Sequence, residues 1–503
     1  MPDPLPNPPS MPLVTRREAA QLLGAVAATQ LLAAEGPDIC FLTATEMADL
    51  IRRKKLSARE TLDAHLKQIE RVNPQVNAIV TLVAEQAIEN ARKADEAQAH
   101  GAALGPLHGL PIAHKDLVET AGIRTTFGSR IFKDYVPTHD AILVERIRKA
   151  GAICLGKTNT PEFGAGSQTF NAVFGATRNP HDLSKTCGGS SGGAAVSLAC
   201  GMLPIADGSD SGGSLRNPAA FCGVVGFRVA PGRVAHAAIG DSWSTIAVSG
   251  PMARTVPDVA LLLSAMAGPD PRCPISITEP GSRFAGNLER SFKGVRVAWF
   301  KDMGGIPFDP RVLSAVNAQR KVFESLGCIV EEAEPDWTGA LAGYDTLRAW
   351  GYAASMAENV RLHRDLVKDT IQWEVERGSK ITGADIAHAL TLRSAAWDRM
   401  RIFQEKYEYF ITPTSQVLPF DVTQPYPTEV AGVKMSTYLE WMKSCMLISA
   451  LENPSISMPC GFADGLPAGL QIVGRHRDEW SVLQLAHAFE QATPGTRRKP
   501  AIA

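Results

Sequence analysis

An excess of charge of either sign is missing from this chain. Its 51 basic residues stand against 52 acidic ones, a formal net charge of −1 over 503 residues. That balance leaves no electrostatic footprint for nucleic acid or for an anionic membrane surface. No C-x-x-C pair occurs among the nine cysteines, which argues against a zinc ribbon and a redox dithiol. Most of them sit in apolar contexts and read as small buried hydrophobes. No apolar run in the body of the chain reaches the roughly 18 residues of an integral membrane span. No Gly-Lys-Ser or Gly-Lys-Thr follows the glycines at 188–193, which argues against a phosphate-cradling loop there. Internal repeats and low-complexity blocks are also missing. Nothing in the sequence calls for a metal or an organic cofactor.

What is present begins with an unusual N-terminus. Residues 1–12 are rich in proline and exclude a helix. Thr15-Arg16-Arg17-Glu18 then precedes a mildly apolar, alanine-rich stretch from Ala19 to Ala34. An arginine pair before a weakly hydrophobic segment resembles a twin-arginine export signal, and Met11 is an alternative start. Residues 1–40 are therefore set apart as an extension, either an export signal or a tail. The arginine pair favours a periplasmic or secreted location over a cytoplasmic one.

From residue 41 onward, helix and strand signals alternate. Thr43 to Glu46 opens a helix with an acidic first turn. Ser57-Ala58-Arg59-Glu60 is a capping box whose helix should stop near Val72, before Asn73-Pro74. Ala84–Ala99, Asp140–Ala150, Val256–Ala267, Pro310–Leu326 and a long region from Gly339 to Tyr407 read as helical. Leu110–Ala113, Ala152–Leu155, Val295–Phe300, Cys328–Glu331 and Tyr409–Thr412 read as strands. The alternation predicts an α/β fold in one large domain, with helices covering a central sheet. Segments 268–282 and 416–427, rich in proline and glycine, read as surface loops.

The chemistry concentrates between Gly188 and Arg216. Gly188-Gly189-Ser190-Ser191-Gly192-Gly193 leads through an apolar helical stretch to Gly208-Ser209-Asp210-Ser211-Gly212-Gly213-Ser214-Leu215-Arg216. Glycines let backbone N–H groups approach a reacting atom, and serine supplies a hydroxyl that becomes nucleophilic once a base takes its proton. Histidine is the commonest base, yet of eleven histidines only His181 lies near the serines. Upstream, Lys115 follows the short apolar run Leu110–Ala113. Desolvation lowers a lysine pKa, and a neutral amine is a competent base. A snorkelling Lys115 paired with Asp116 is the competing reading. Gly188–Gly192 also satisfies the G-x-S-x-G pattern of lipases, but no later histidine sits in a persuasive context.

Residues His108 to Arg233 resemble the amidase signature family of Ser-Ser-Lys hydrolases, the fatty acid amide hydrolase and bacterial amidase type. The likeness rests on Pro111-Ile112-Ala113-His114-Lys115-Asp116, Gly156–Phe163, Gly175–Pro180, Gly188–Gly193, Gly208–Arg216 and Gly226-Phe227-Arg228. Ser249–Thr255, Asn453–Phe462 and Gly469–Gly474 extend it, so that it covers about residues 42 to 494. The resemblance implies a central mixed β-sheet covered on both faces by helices. It also implies that Lys115 is the base, that Ser190, whose peptide bond would be cis, relays protons through its hydroxyl, and that Ser214 is the nucleophile. Backbone N–H groups of Ser211, Gly212, Gly213 and Ser214 would form the oxyanion hole. Ser167, Ser191, Asp210 and Arg216 would support that arrangement.

The family varies most between about 275 and 450, where substrate pockets are completed. Here that region holds Trp337, Trp350, Trp373, Trp397 and Trp441. Aromatic walls favour apolar or aryl groups. Trp350, Trp441 and Met442 are the pocket candidates, and a hydrophobic or aryl amide is the expected substrate. Esters, anilides and carbamates use the same acyl-transfer chemistry. The resemblance also extends to the A subunit of glutamyl-tRNA amidotransferase, which carries an aspartate against the glutamine amine. Met442 aligns there, which argues against glutamine. The expected partner is a small-molecule amide, and a homodimer is compatible with the sequence.

Overall fold

The computed structural model describes residues 38–237 and 242–503. The arginine pair, Met11 and the alanine-rich stretch lie outside the described residues. At the centre is an eight-stranded mixed sheet. Its order is Ile329–Glu332, Arg296–Trp299, Tyr409–Pro413, Leu466–Val473, Ser455–Ala463, Val225–Arg228, Val248–Ala253 and Ile205–Asp210. The first three strands are parallel, and every later pairing is antiparallel.

Every residue of Tyr409–Pro413 and Leu466–Val473 is buried, the pattern of strands covered on both faces. Helices Arg216–Cys222 and Pro310–Asn317 pack on Ser455–Ala463 and Leu466–Val473, while Val256–Met266 and Glu479–Ala492 pack on Val248–Ala253 and Ser455–Ala463. The chain is thus a single-domain α/β protein with a large mixed sheet flanked by helices. Among the described residues, no helix is long and apolar enough to cross a membrane.

A second, three-stranded sheet sets the site. It runs Ile79–Leu82, Ile153–Thr158, Pro111–Lys115, with the last two parallel. Strand Pro111–Lys115 is buried throughout and packs on Ile205–Asp210, the edge strand of the large sheet. Lys115 is thereby carried to where the serine loops begin.

Local signals explain several boundaries. The capping boxes Thr43–Glu46 and Ser57–Glu60 both form. The helix expected to stop before Asn73-Pro74 instead runs Ala58–Val76. Pro74 falls in its last turn, where little of the helix remains to be disrupted. Asn73 Oδ1 accepts from the Ala78 and Ile79 N–H groups at 2.9 Å each, and Asn77 closes the turn in the left-handed conformation. The helix expected over 310–326 is two, Pro310–Asn317 and Arg320–Ser325. The long helical region is three, Ala340–His363, Asp369–Gly378 and Gly383–Lys406, the last opened by a Thr382–Asp385 capping box.

Candidate active site

Lys115 ends a strand with no exposed surface, and its side chain is 0 % exposed. Its Nζ lies 2.7 Å from Ser190 Oγ, 2.9 Å from Ser191 Oγ and 3.0 Å from Ser209 Oγ. The snorkelling alternative therefore fails, because three hydroxyls converge on a buried amine. Asp116 turns elsewhere, accepting from the Thr126 N–H and hydroxyl. Burial pushes the Lys115 amine down to about 7, against the pull of the Asp210 and Asp207 carboxylates. At neutral pH a substantial share of this lysine is the free base.

Ser190 follows a cis Gly189–Ser190 peptide and is 2 % exposed. Ser191 begins the buried helix Gly192–Ala199, and its N–H donates to the Ser214 carbonyl at 3.1 Å. That bond brings the two glycine-serine loops together. Ser211 and Ser214 are partly exposed, whereas Gly212 and Gly213 are buried. Among the described residues, no hydrogen bond joins the Ser190 and Ser214 hydroxyls.

The loop Ser211–Ser214 is held from below and from the side. Asp210 Oδ1 accepts from the Gly213 N–H at 2.8 Å, and Oδ2 accepts from the Leu215 N–H at 3.1 Å. Arg216 donates to both Asp210 oxygens at 3.0 Å and reaches on to Gln471 and Ser449. Arg228 adds a second guanidinium, bonded to the Asp210 carbonyl and carboxylate. Burial opposes ionisation of Asp210, but Arg216 and Arg228 hold its carboxyl well below the usual range.

From the side, Tyr344 Oη donates to the Ser211 carbonyl at 2.9 Å. Gly213 needs its glycine, since its φ is +123°. Gly212 needs one for space: a β-carbon there would meet Tyr344 Oη at 2.8 Å and Met446 Cγ at 3.0 Å. Ser167 Oγ accepts from Asn217 Nδ2 at 3.1 Å, so it reaches the site through the helix that follows the loop.

Pocket candidates fare unevenly. Trp441 is buried between Phe221, which it stacks on, and Phe420, which it meets edge-on. Met442 is buried in the main apolar cluster, and Trp350 is half-buried on the helix Ala340–His363. Trp337 and Trp373 pack on Phe410 and Tyr438. Tyr344 and Met446 flank Gly212 instead. A β-carbon at Gly164 would lie 3.5 Å from Ser190 Oγ, and the preceding Phe163 packs its ring on Phe127 and Phe132. Behind Phe163 stands an apolar cluster of Ala165, Met356, Val360 and Ile371. Tyr344 and Met446 carried no motif, and no sequence signal marks either one.

A buried amine on three serine hydroxyls, beside a glycine loop braced by a buried carboxylate, has the parts of an acyl-transfer centre. The family profile described as "Amidase" matches residues 60–483. This chain belongs to the amidase signature family. Among its relatives are the acylamidase of Rhodococcus erythropolis, 38% identical over 92% of this chain and 97% of that one. The A subunit of glutamyl-tRNA(Gln) amidotransferase from Moorella thermoacetica is 37% identical over 92% of this chain and 99% of that one. In structure, a bacterial aryl acylamidase of the amidase signature family superposes with a TM-score of 0.85 at 28% identity, over 90% of this chain and 96% of the other. A 6-aminohexanoate cyclic dimer hydrolase follows at 0.83 and 29%, over 92% and 99%. The chain is accordingly an amidase signature enzyme, a hydrolase of carbon–nitrogen bonds.

Proposed function

We propose that this enzyme hydrolyses an apolar or aryl carboxylic amide through an acyl-enzyme on Ser214. The observation that carries the proposal is the buried Lys115 amine on Ser190 Oγ at 2.7 Å. Neutral Lys115 takes the Ser190 proton, and Ser190 takes that of Ser214. Ser214 Oγ then attacks the amide carbon. The Ser190–Ser214 contact closes with substrate in place, since catalytic hydrogen bonds often tighten only in the complex. The N–H groups of Ser211, Gly212 and Ser214 receive the oxyanion, whereas that of Gly213, expected from the sequence to join them, is already given to Asp210 Oδ1 at 2.8 Å, and each free donor is worth roughly 100- to 1000-fold in rate. The tetrahedral intermediate collapses by breaking the C–N bond, and the relay returns a proton to the departing nitrogen. Water attacks the acyl carbon as its proton passes through Ser190 to Lys115; the Ser214 Oγ–acyl bond then breaks, Ser214 recovers a proton from Lys115 through Ser190, and the acid leaves.

Support for an apolar acyl or amine group comes from Tyr344 and Met446 against Gly212, and from the acylamidase and aryl acylamidase relatives. Esters, anilides and carbamates fit the same chemistry. The amidotransferase relative, of nearly equal identity, supports a second reading in which glutamine is the amide and partner subunits take the ammonia. A panel of aliphatic amides, aryl amides, anilides, carbamates, esters and glutamine separates these. Aryl amides are expected to turn over fastest, and Ser214→Ala is expected to abolish all turnover. Intact-mass spectrometry with a slow aryl ester should show one acyl group on the wild type and none on Ser214→Ala. Activity retained by Ser214→Ala would remove Ser214 as the nucleophile.

A further inference from the structure

Two carboxylates stand near the Lys115 amine on the strand Ile205–Asp210, and both favour the ammonium form. A base must resist that pull. Asp210 is matched by Arg216 and Arg228. Asp207 has no arginine or lysine partner among the described residues, and it is 0 % exposed. Its one ion-pair partner among the described residues is His114, adjacent to Lys115 in the chain.

The geometry is a closed chain of contacts. His114 Nδ1 donates to Asp207 Oδ1 at 2.6 Å, and the Lys115 backbone N–H donates to Asp207 Oδ2 at 3.2 Å. The His114 and Asp207 side chains are 2 % and 0 % exposed. We infer, on the proposed role of Lys115 as base, that His114 and Asp207 are positioning residues. Asp207 pins the Lys115 backbone, and the His114 imidazolium cancels the carboxylate so that the amine remains neutral.

The charges around this pair leave His114 that task. Ser190, Ser191 and Ser209 face Nζ with neutral hydroxyls. From the strand Ile153–Thr158, Cys154 faces the His114 ring, and Lys157 donates to Val118 and Thr120 and is drawn first by Asp116, with Cys154 and Asp207 as weaker attractions. Burial by itself would strip the proton from His114, but the Asp207 carboxylate, with Cys154 as the second contributor, overrides it and holds the imidazole up at about 9. Between about pH 7 and 9, then, His114 is charged while Lys115 is neutral. Loss of the imidazolium would leave Asp207 bare, and a bare anion raises the proton affinity of a neighbouring amine.

The test is the acid limb of kcat/KM on an aryl amide. In the wild type it should lie near 7. In His114→Gln it should move up by about one pH unit, an approximately tenfold loss below pH 7. In the double variant His114→Gln/Asp207→Asn, which removes both charges, the limb should return to the wild-type position even though kcat stays low. A limb unmoved in His114→Gln, or equally displaced in the double variant, would overturn the inference. A readout independent of the variants' folding is the 15N imidazole spectrum of the wild type at pH 8. One ring protonated on both nitrogens is expected, and none would also overturn it. Lys115→Ala in the same assay separates the two proposals. If it remains active, the base itself is wrong. If it is dead and the His114→Gln limb has not moved, only the dyad is wrong.

Discussion

Lys115 is a residue that works against the stability of the fold. Its folded pKa, about 7, lies below the unfolded value of about 10.4. The folded state therefore binds the proton less readily than the unfolded chain. The resulting penalty is full below pH 7 and shrinks as the pH rises toward the unfolded value. Lys115→Met keeps the volume and removes the charge. It should abolish amide hydrolysis and melt higher than the wild type at pH 6, with the difference narrowing by pH 9. Thermal melts at the two values check this, and a lower midpoint at pH 6 would contradict it. The lysine stood out because it follows a short apolar run, and the family resemblance, not the run, set the base reading above the snorkelling one. Its neighbour His114 was not, because nothing in its spacing reveals a carboxylate 93 positions away.

At the scale of elements, the helix Ala340–His363 contributes a contact that no motif announces. Tyr344 Oη fixes the Ser211 carbonyl, and with it the plane of the Ser211–Gly212 peptide whose N–H should face the substrate. Tyr344→Phe removes one hydroxyl and leaves the ring against Gly212. We expect kcat to fall about tenfold, the worth of a single hydrogen bond of about 1.4 kcal/mol, with KM little changed. Steady-state kinetics decide, and a rise in KM alone would mean that Tyr344 binds substrate and does not brace the loop. Elements announced by local chemistry were legible: capping boxes at Thr43 and Ser57 marked real helix starts. Pro74 misled because a proline in a last turn costs only one N–H bond to the turn before it, while Asn73 Oδ1 ties down the exit by accepting from the Ala78 and Ile79 N–H groups.

On the scale of the whole molecule, Asp210 joins the edge strand, the Arg216–Cys222 helix and the strand Val225–Arg228 through two buried arginines. Its folded pKa lies below the unfolded value of about 3.9. The stabilisation is thus complete above about pH 4 and is lost as the pH falls below that. Asp210→Asn strands both guanidinium groups and should cost about 3–5 kcal/mol at pH 7. Its stability curve should also be flatter than that of the wild type between pH 4 and pH 2. Denaturant titrations across that range check both, and parallel curves for the two proteins would contradict the assignment.

What the sequence determined by itself was local: which loops carry the glycines and serines, which lysine follows a buried strand, where caps open helices, and the family to which those motifs belong. Each of these depends on residues close together in the chain. The tertiary structure decided what faces what. It put Trp441 into an aromatic stack with Phe221 and Phe420, set Tyr344 and Met446 against Gly212, and joined His114 to Asp207 behind Lys115. These contacts arise from the packing of a small sheet against the edge of a large one and of a helix across the loop. Side-chain direction at such crossings is set by the packed elements together, and the linear pattern of any one of them does not contain it.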